Sequence, residues 1–308
     1  MPGIGALAAP PAPPVEELEV VRERIRGRLS RVGRTIAVMS GKGGVGKSAV
    51  AVNLAVALSC RGARTGILDA DLNGPSVAKM LGLRGQPVRV GRDGLRPAPG
   101  PLDLRVQSIE FFLQGGQALA WGEGDEPSGD HAPLRSWLED AALAGLLGGT
   151  EWGELDYLVI DMAPGADRLP ALARLLPALD GAVAVTIPTE VALLAVERSI
   201  RRAHAARIPL IGLVENMGSA VCASCGVESG LFQEAPVLRT ALELDVPVIA
   251  RIPFDARLAA AADAGRLFLD VAGRGSPAGR ALEELASHVA AWAALAAAAE
   301  GAGLEAVS

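Results

Sequence analysis

A doubly wound α/β fold, a mostly parallel sheet with helices on both faces, is predicted by two features of the chain. Short continuous runs of Val, Ile and Leu recur along it, and helical segments alternate with them. Strands buried on both faces need such unbroken apolar runs, whereas half-exposed strands alternate polar and apolar residues. The alternation of strand and helix selects parallel pairing through crossover helices. With 308 residues, half of them apolar and many of those alanine, the chain has material for one large domain.

Each element can be placed in order. "MPGIGALAAPPAPP" has no basic start and is broken by prolines, so it reads as a disordered leader and not as a secretion signal. Residues 14–33 form a charged amphipathic helix. "RTIAVMS" is a strand, "GKGGVGKS" a loop and "AVAVNLAVALSCRG" a helix; "RTGILDAD" and "LRVQSIEFF" are further strands. "LRSWLEDAALAGLL" is a helix, and "LDYLVIDMAPG", "GAVAVTIPT", "PLIGLVENM" and "VPVIARIPF" are the remaining strands. Residues 82–104 and 121–134 read as Gly/Pro-rich loops within the domain. The tail is a helix capped by Ser276 before Pro277, with Leu282, Leu285, Val289, Trp292 and Leu295 on one stripe. The expected divisions are a leader and helix at 1–33, the nucleotide-binding domain at 34–275, and a C-terminal helix and tail at 276–308.

Composition narrows the function. A net charge of −6 opposes a general nucleic-acid coat, which needs a basic face. No apolar run is long enough to span a membrane, and a cytoplasmic protein with neither nucleic-acid nor membrane partner is expected. Three cysteines cannot make a disulfide framework. Of 29 basic residues only Lys42, Lys47 and Lys79 are lysine, and two of these lie in one loop. A compact ammonium is called for there in place of an arginine fork.

That loop, Gly41 to Ser48, has the spacing of a phosphate-binding loop, with Gly41 and Gly46 bracketing Lys42, Gly43, Gly44 and Val45. Its glycines let backbone N–H groups turn inward, and the following helix N-terminus adds a positive dipole. Lys47 is placed to reach the β- and γ-phosphates of ATP, and Ser48 to hold Mg²⁺. Asp161, closing an apolar strand, suits Mg²⁺, and Asp69 and Asp71 end a neighbouring strand.

Lys42, directly after the first glycine, resembles the deviant loop of the MinD/ParA/nitrogenase-iron-protein class. In that class this lysine crosses to the phosphates bound by a partner, which implies a homodimer enclosing two nucleotides. The resemblance also implies that Asp71 orients the attacking water, that Asp69 supports the metal, and that Asn216 reads adenine. Pro253 and Asp255, in "IPFD", would complete the base pocket.

Over residues from about 34 to 270 the chain resembles the Mrp/ApbC group of iron–sulfur cluster carrier ATPases. The resemblance rests on "VMSGKGGVGKS", "LDADLNGPSVAKMLGL", "VQSIEFFL", "WGELDYLVIDMAPG", "TIPTEVALLAVERSI", "GLVENM" with its following CxxC, and "VPVIARIPFDARL". It implies that Cys222 and Cys225 of each chain supply half the ligands of a [4Fe–4S] cluster shared across the dimer. Scaffold proteins would donate the cluster, and apo iron–sulfur proteins would receive it. Two readings stay beside this one for the cysteines, a shared four-thiolate zinc site and a redox dithiol. Cys60 reads as a structural thiol. For the chain as a whole, a membrane- or DNA-positioning ATPase and an electron-transfer ATPase are the alternatives. The first needs a basic tail, and after Arg280 there is no Lys or Arg. The second uses widely separated cysteines. The chain departs from the carrier pattern at Ala163 and Ala166 in "DMAPGADRL", and has no arginine after Trp121.

Overall fold

The computed structural model describes residues 15–113, 132–176, 179–222, 225, 227–232 and 237–302. Helix α1 (Val15–Leu29) leads into β1 (Val32–Ser40), which runs through the phosphate loop into α2 (Lys47–Cys60). Then come β2 (Thr65–Ala70), α3 (Val77–Met80), the short strands β3 (Arg89–Val90), β4 (Leu95–Arg96) and β5 (Ala98–Pro99), and β6 (Arg105–Ser108). The middle of the chain holds α4 (Ala132–Gly149), β7 (Leu155–Met162), α5 (Arg168–Leu175), β8 (Gly181–Thr186) and α6 (Glu190–Ala205). It closes with β9 (Leu210–Val221), β10 (Glu228–Gly230), α7 (Val237–Glu243), β11 (Val248–Phe254), α8 (Ala256–Asp263), α9 (Val271–Arg274) and α10 (Pro277–Gly301).

Among the described residues the main sheet runs β10-β9-β8-β1-β7-β2-β6-β5, with β11 also paired to β9. All pairings in it are parallel except those of the edge strands β5 and β10. Strands β2 and β8 are buried at every position, the outcome their unbroken apolar sequences require. One face packs on α2 and α10 through residues such as Leu54, Leu58, Leu285 and Val289. The other packs on α1, α4, α5 and α6 through Ile25, Leu147, Leu172 and Ile200. The expected doubly wound architecture is therefore observed.

Four local expectations change. Helix α1 packs against α4, with Ile25 fully buried, because its apolar stripe has a matching face on the domain. Residues 82–104 carry three short strands, of which β5 extends the sheet antiparallel to β6. The C-terminal stripe is narrower than expected: Leu282, Leu285, Val289 and Ala293 are buried, but Leu295 is 72% exposed because at about 100° per residue it has turned away from that face, while Glu300 still reaches Arg34 of β1. Strand β9 does not stop at Met217 but continues to Val221. The loop expected at 121–134 lies outside the described residues as far as 131. Cys60 is half-buried against the core, and no described helix is long and apolar enough to cross a membrane.

Candidate nucleotide and cluster sites

The strand order sets the phosphate site. Because β7 lies between β1 and β2, three C-terminal strand ends stand side by side, and Asp161 is level with both Val38 of β1 and Asp69 of β2. Ligands of open α/β sheets bind at such a point. The loop from Gly41 curls over these ends. Gly46 caps α2 at φ 81°, a left-handed conformation that disfavours side chains, and a Cβ there would collide with the Asn216 amide. Gly41 is held for a different reason, since its Cβ would run into the backbone of α6 at Ala195.

Lys47 is buried and ion-paired to Asp161, and its Nζ donates to Ser48 Oγ at 3.1 Å. Burial pushes the Asp161 carboxyl above its ordinary range, and Lys47 opposes that shift. Its second oxygen, Oδ2, is buried without a hydrogen-bond partner. An orphaned carboxylate oxygen beside the Ser48 hydroxyl fits a hard cation, so Ser48 and Asp161 are suited to hold Mg²⁺.

Asp69 behaves differently. It is fully buried, and its Oδ2 accepts from the backbone N–H of Ser76 at 2.9 Å, from that of Val77 at 3.0 Å, and from Ser108 Oγ at 3.4 Å. Burial and then the neighbouring Asp161 push its carboxyl up to about 8. These contacts make Asp69 the anchor of the loop after β2. Asp71, on that loop, lines the open phosphate cavity of about 250 Å³ together with Lys42, Lys47 and Ser48. No carboxylate among the described residues pairs with Lys42.

A second cavity, of about 150 Å³, adjoins the first at Gly46 and Ala49. Asn216, Met217, Pro253, Phe254 and Asp255 line it. The Asn216 amide nitrogen donates to the Val45 carbonyl at 2.8 Å, so this residue braces the phosphate loop from β9. Asp255 caps α8, accepting from Arg257 N–H at 2.9 Å, and pairs with the Arg257 guanidinium at 2.7 Å. The bracing role of Asn216 and the capping role of Asp255 depend on contacts that spacing along the chain does not reveal. Met217 holds φ 57°, unusual for a residue with a side chain, beside this second cavity.

Cys222 and Cys225 are exposed, near the turn where β9 gives way to β10. The Cys222 N–H donates to the Val227 carbonyl at 2.9 Å, closing the hairpin. Among the described residues no group of three or more His, Cys, Asp or Glu side chains is arranged to hold a metal. Within that set, one chain thus presents two thiols and less than a full set of metal ligands.

A phosphate loop on a mostly parallel sheet, with Lys42 after its first glycine, defines a P-loop NTPase of MinD/ParA type. Residues 31–290 match the family model described as "ParA: NUBPL iron-transfer P-loop NTPase", and the chain belongs to that family. The chain is 39% identical over 255 residues to the iron-sulfur cluster carrier protein of Saccharolobus solfataricus, covering 82% of each. It is 38% identical over 243 residues to that of Methanocaldococcus jannaschii, covering 79% of this chain and 80% of the relative. Among solved structures, a nucleotide-binding protein from Archaeoglobus fulgidus in complex with ADP superposes with a TM-score of 0.67 at 36% identity, covering 80% of this chain and 91% of that one. The cell division ATPase MinD of Pyrococcus furiosus, at 22% identity and a TM-score of 0.59, shares the fold; the match covers 84% of this chain and 99% of that one.

Proposed function

We propose that two copies of this chain form a cytoplasmic ATP-hydrolysing dimer that carries a [4Fe–4S] cluster between them and delivers it to apo iron–sulfur proteins. One observation carries the reading: Cys222 and Cys225 are exposed at the end of the strand that also supplies Asn216 to the nucleotide site, and the described residues of one chain complete no metal group around them. A two-fold axis makes four thiolates out of two such pairs. The names of the relatives at 38–39% identity support the same cargo.

Backbone N–H groups of Gly43 to Lys47 receive the phosphates. Lys47 exchanges its Asp161 partner for a phosphate oxygen, which frees the Asp161 carboxylate. Ser48 and Asp161 would hold Mg²⁺, which would supply charge neutralisation to the transferring phosphoryl group. Asp71 accepts a hydrogen bond from the attacking water. The water oxygen bonds to the γ-phosphorus as the bridging oxygen leaves with ADP, and the water's proton passes to an oxygen of the released phosphate. Lys42 of each chain reaches the phosphates held by the other, so hydrolysis needs both copies. ATP therefore acts on cluster loading through the arrangement of the dimer.

Anaerobic reconstitution with iron and sulfide tests the reading. About four iron and four acid-labile sulfide per dimer are expected by the stoichiometry of a shared cubane. Zinc without sulfide, or a strictly monomeric protein in the presence of ATP, overturns it.

A further inference from the structure

Helix α4 contributes nothing to the phosphate cavity, yet it buries a carboxylate behind it. Glu139 is 6% exposed, and its two oxygens go to different loops. Oε1 accepts from the Asn73 amide at 2.8 Å, two residues beyond Asp71. Oε2 accepts from Arg168 Nη1 at 2.5 Å, on the segment that follows Asp161. The same two segments are fixed elsewhere by other contacts. Asp69 holds the first through Ser76 and Val77, and the Gly165 N–H ties the second to the Ser40 carbonyl at 3.0 Å. Glu139 is thus a bridge between them that passes through neither the nucleotide nor the phosphate loop.

Burying a carboxylate is costly unless it is paired and hydrogen-bonded, so an apolar residue would serve simple packing better here. The adjoining cavity of about 30 Å³ is lined by the apolar Ala70, Leu72, Leu143 and Met162 and by a second acid, Asp140, whose carboxyl is pushed up by burial. We infer that Glu139 is a positioning residue for hydrolysis, a latch that makes the Asp71 loop and the Asp161 segment move as one body. It acts through Asn73 and Arg168 and does not touch the nucleotide. The inference rests on the proposed ATP hydrolysis and is independent of the cluster.

Glu139→Gln is the informative change. A glutamine offers one carbonyl oxygen and one amide nitrogen, so it can accept from only one of Asn73 and Arg168, keeps the other contact only if Asn73 turns its own amide round, and loses the ion pair with Arg168. The expected result is a kcat for ATP lowered about tenfold with KM changed less than about twofold, the pattern of an interaction that matters in the transition state. Amide hydrogen exchange should quicken together over residues 71–76 and 163–168, with residues 41–48 unchanged. The double variant Glu139→Gln/Arg168→Met should match the worse single variant within about twofold, because both changes break one link. Wild-type kcat with unchanged exchange in Glu139→Gln overturns the latch. So does faster exchange across the whole sheet with kcat and KM impaired together, which marks a general loss of packing. If the wild-type dimer fails to hydrolyse ATP, the hydrolase reading fails, and the paired exchange over the two segments alone decides the latch.

Discussion

At the phosphate loop nearly everything needed is already in contact: Lys47, Asp69 and Asp161 are buried, and Gly41 and Gly46 sit where no side chain fits. At the cysteine hairpin the reverse holds. A three-residue strand pairs with the end of β9, and both cysteines are exposed. The first region is assembled by the folding of one chain, and the second, on the proposed function, is completed by a second copy. A nucleotide site can be built into a monomer because phosphate is bound mostly by backbone. A cluster that must leave again suits ligands contributed by two bodies that can separate.

Separating the two regions by mutation is the sharpest way to break that contrast. Cys222→Ala should abolish iron and sulfide binding in the reconstituted dimer while ATP affinity stays within about twofold, since one lost thiolate in each chain removes half of a four-ligand set. Iron content and nucleotide titration, measured on one preparation, check both halves. Lys47→Ala should do the opposite, lowering ATP turnover by roughly 10² to 10³ while reconstituted iron stays near wild type. Loss of cluster in that variant would mean that the hairpin depends on the loop for its shape. Gly46→Ala is expected to weaken ATP binding about tenfold or more, because the left-handed backbone and the Asn216 contact together cost of order 1–3 kcal/mol. Isothermal titration reads it directly.

The smallest effect concerns the base pocket. Asp255→Asn should lower stability by about 0.5 kcal/mol at neutral pH, through the lost charge pairing with Arg257, since asparagine caps a helix about as well as aspartate. Arg257 holds the Asp255 carboxyl below its ordinary range. That stabilisation is complete above the unfolded carboxyl value of about 3.9 and disappears as pH falls through the lower folded one. Chemical denaturation of the two proteins should therefore converge in acid and diverge above about pH 4.

Local grammar made much of this molecule legible. The strand, loop and helix around Lys47 and the strand-end positions of Asp69 and Asp161 follow from apolar runs and spacing, because each is set by neighbours in sequence. What could not be read depends on distant contacts. Glu139 meets Asn73 and Arg168 across separations of 66 and 29 residues, and nothing in "WLEDAAL" marks its glutamate as buried. The same holds for the Asn216 amide on the Val45 carbonyl, 171 residues away. Leu295 shows the converse failure, an apolar residue read onto the stripe although the turn of the helix carries it off the face of Leu282, Val289 and Ala293.

Strand β9 carries Asn216 beside the base cavity and Cys222 just past its far end, with Met217 held in a left-handed kink between them. On the proposed function one strand and the turn after it serve both nucleotide and cluster, so Met217 lies on the shortest covalent path between the two.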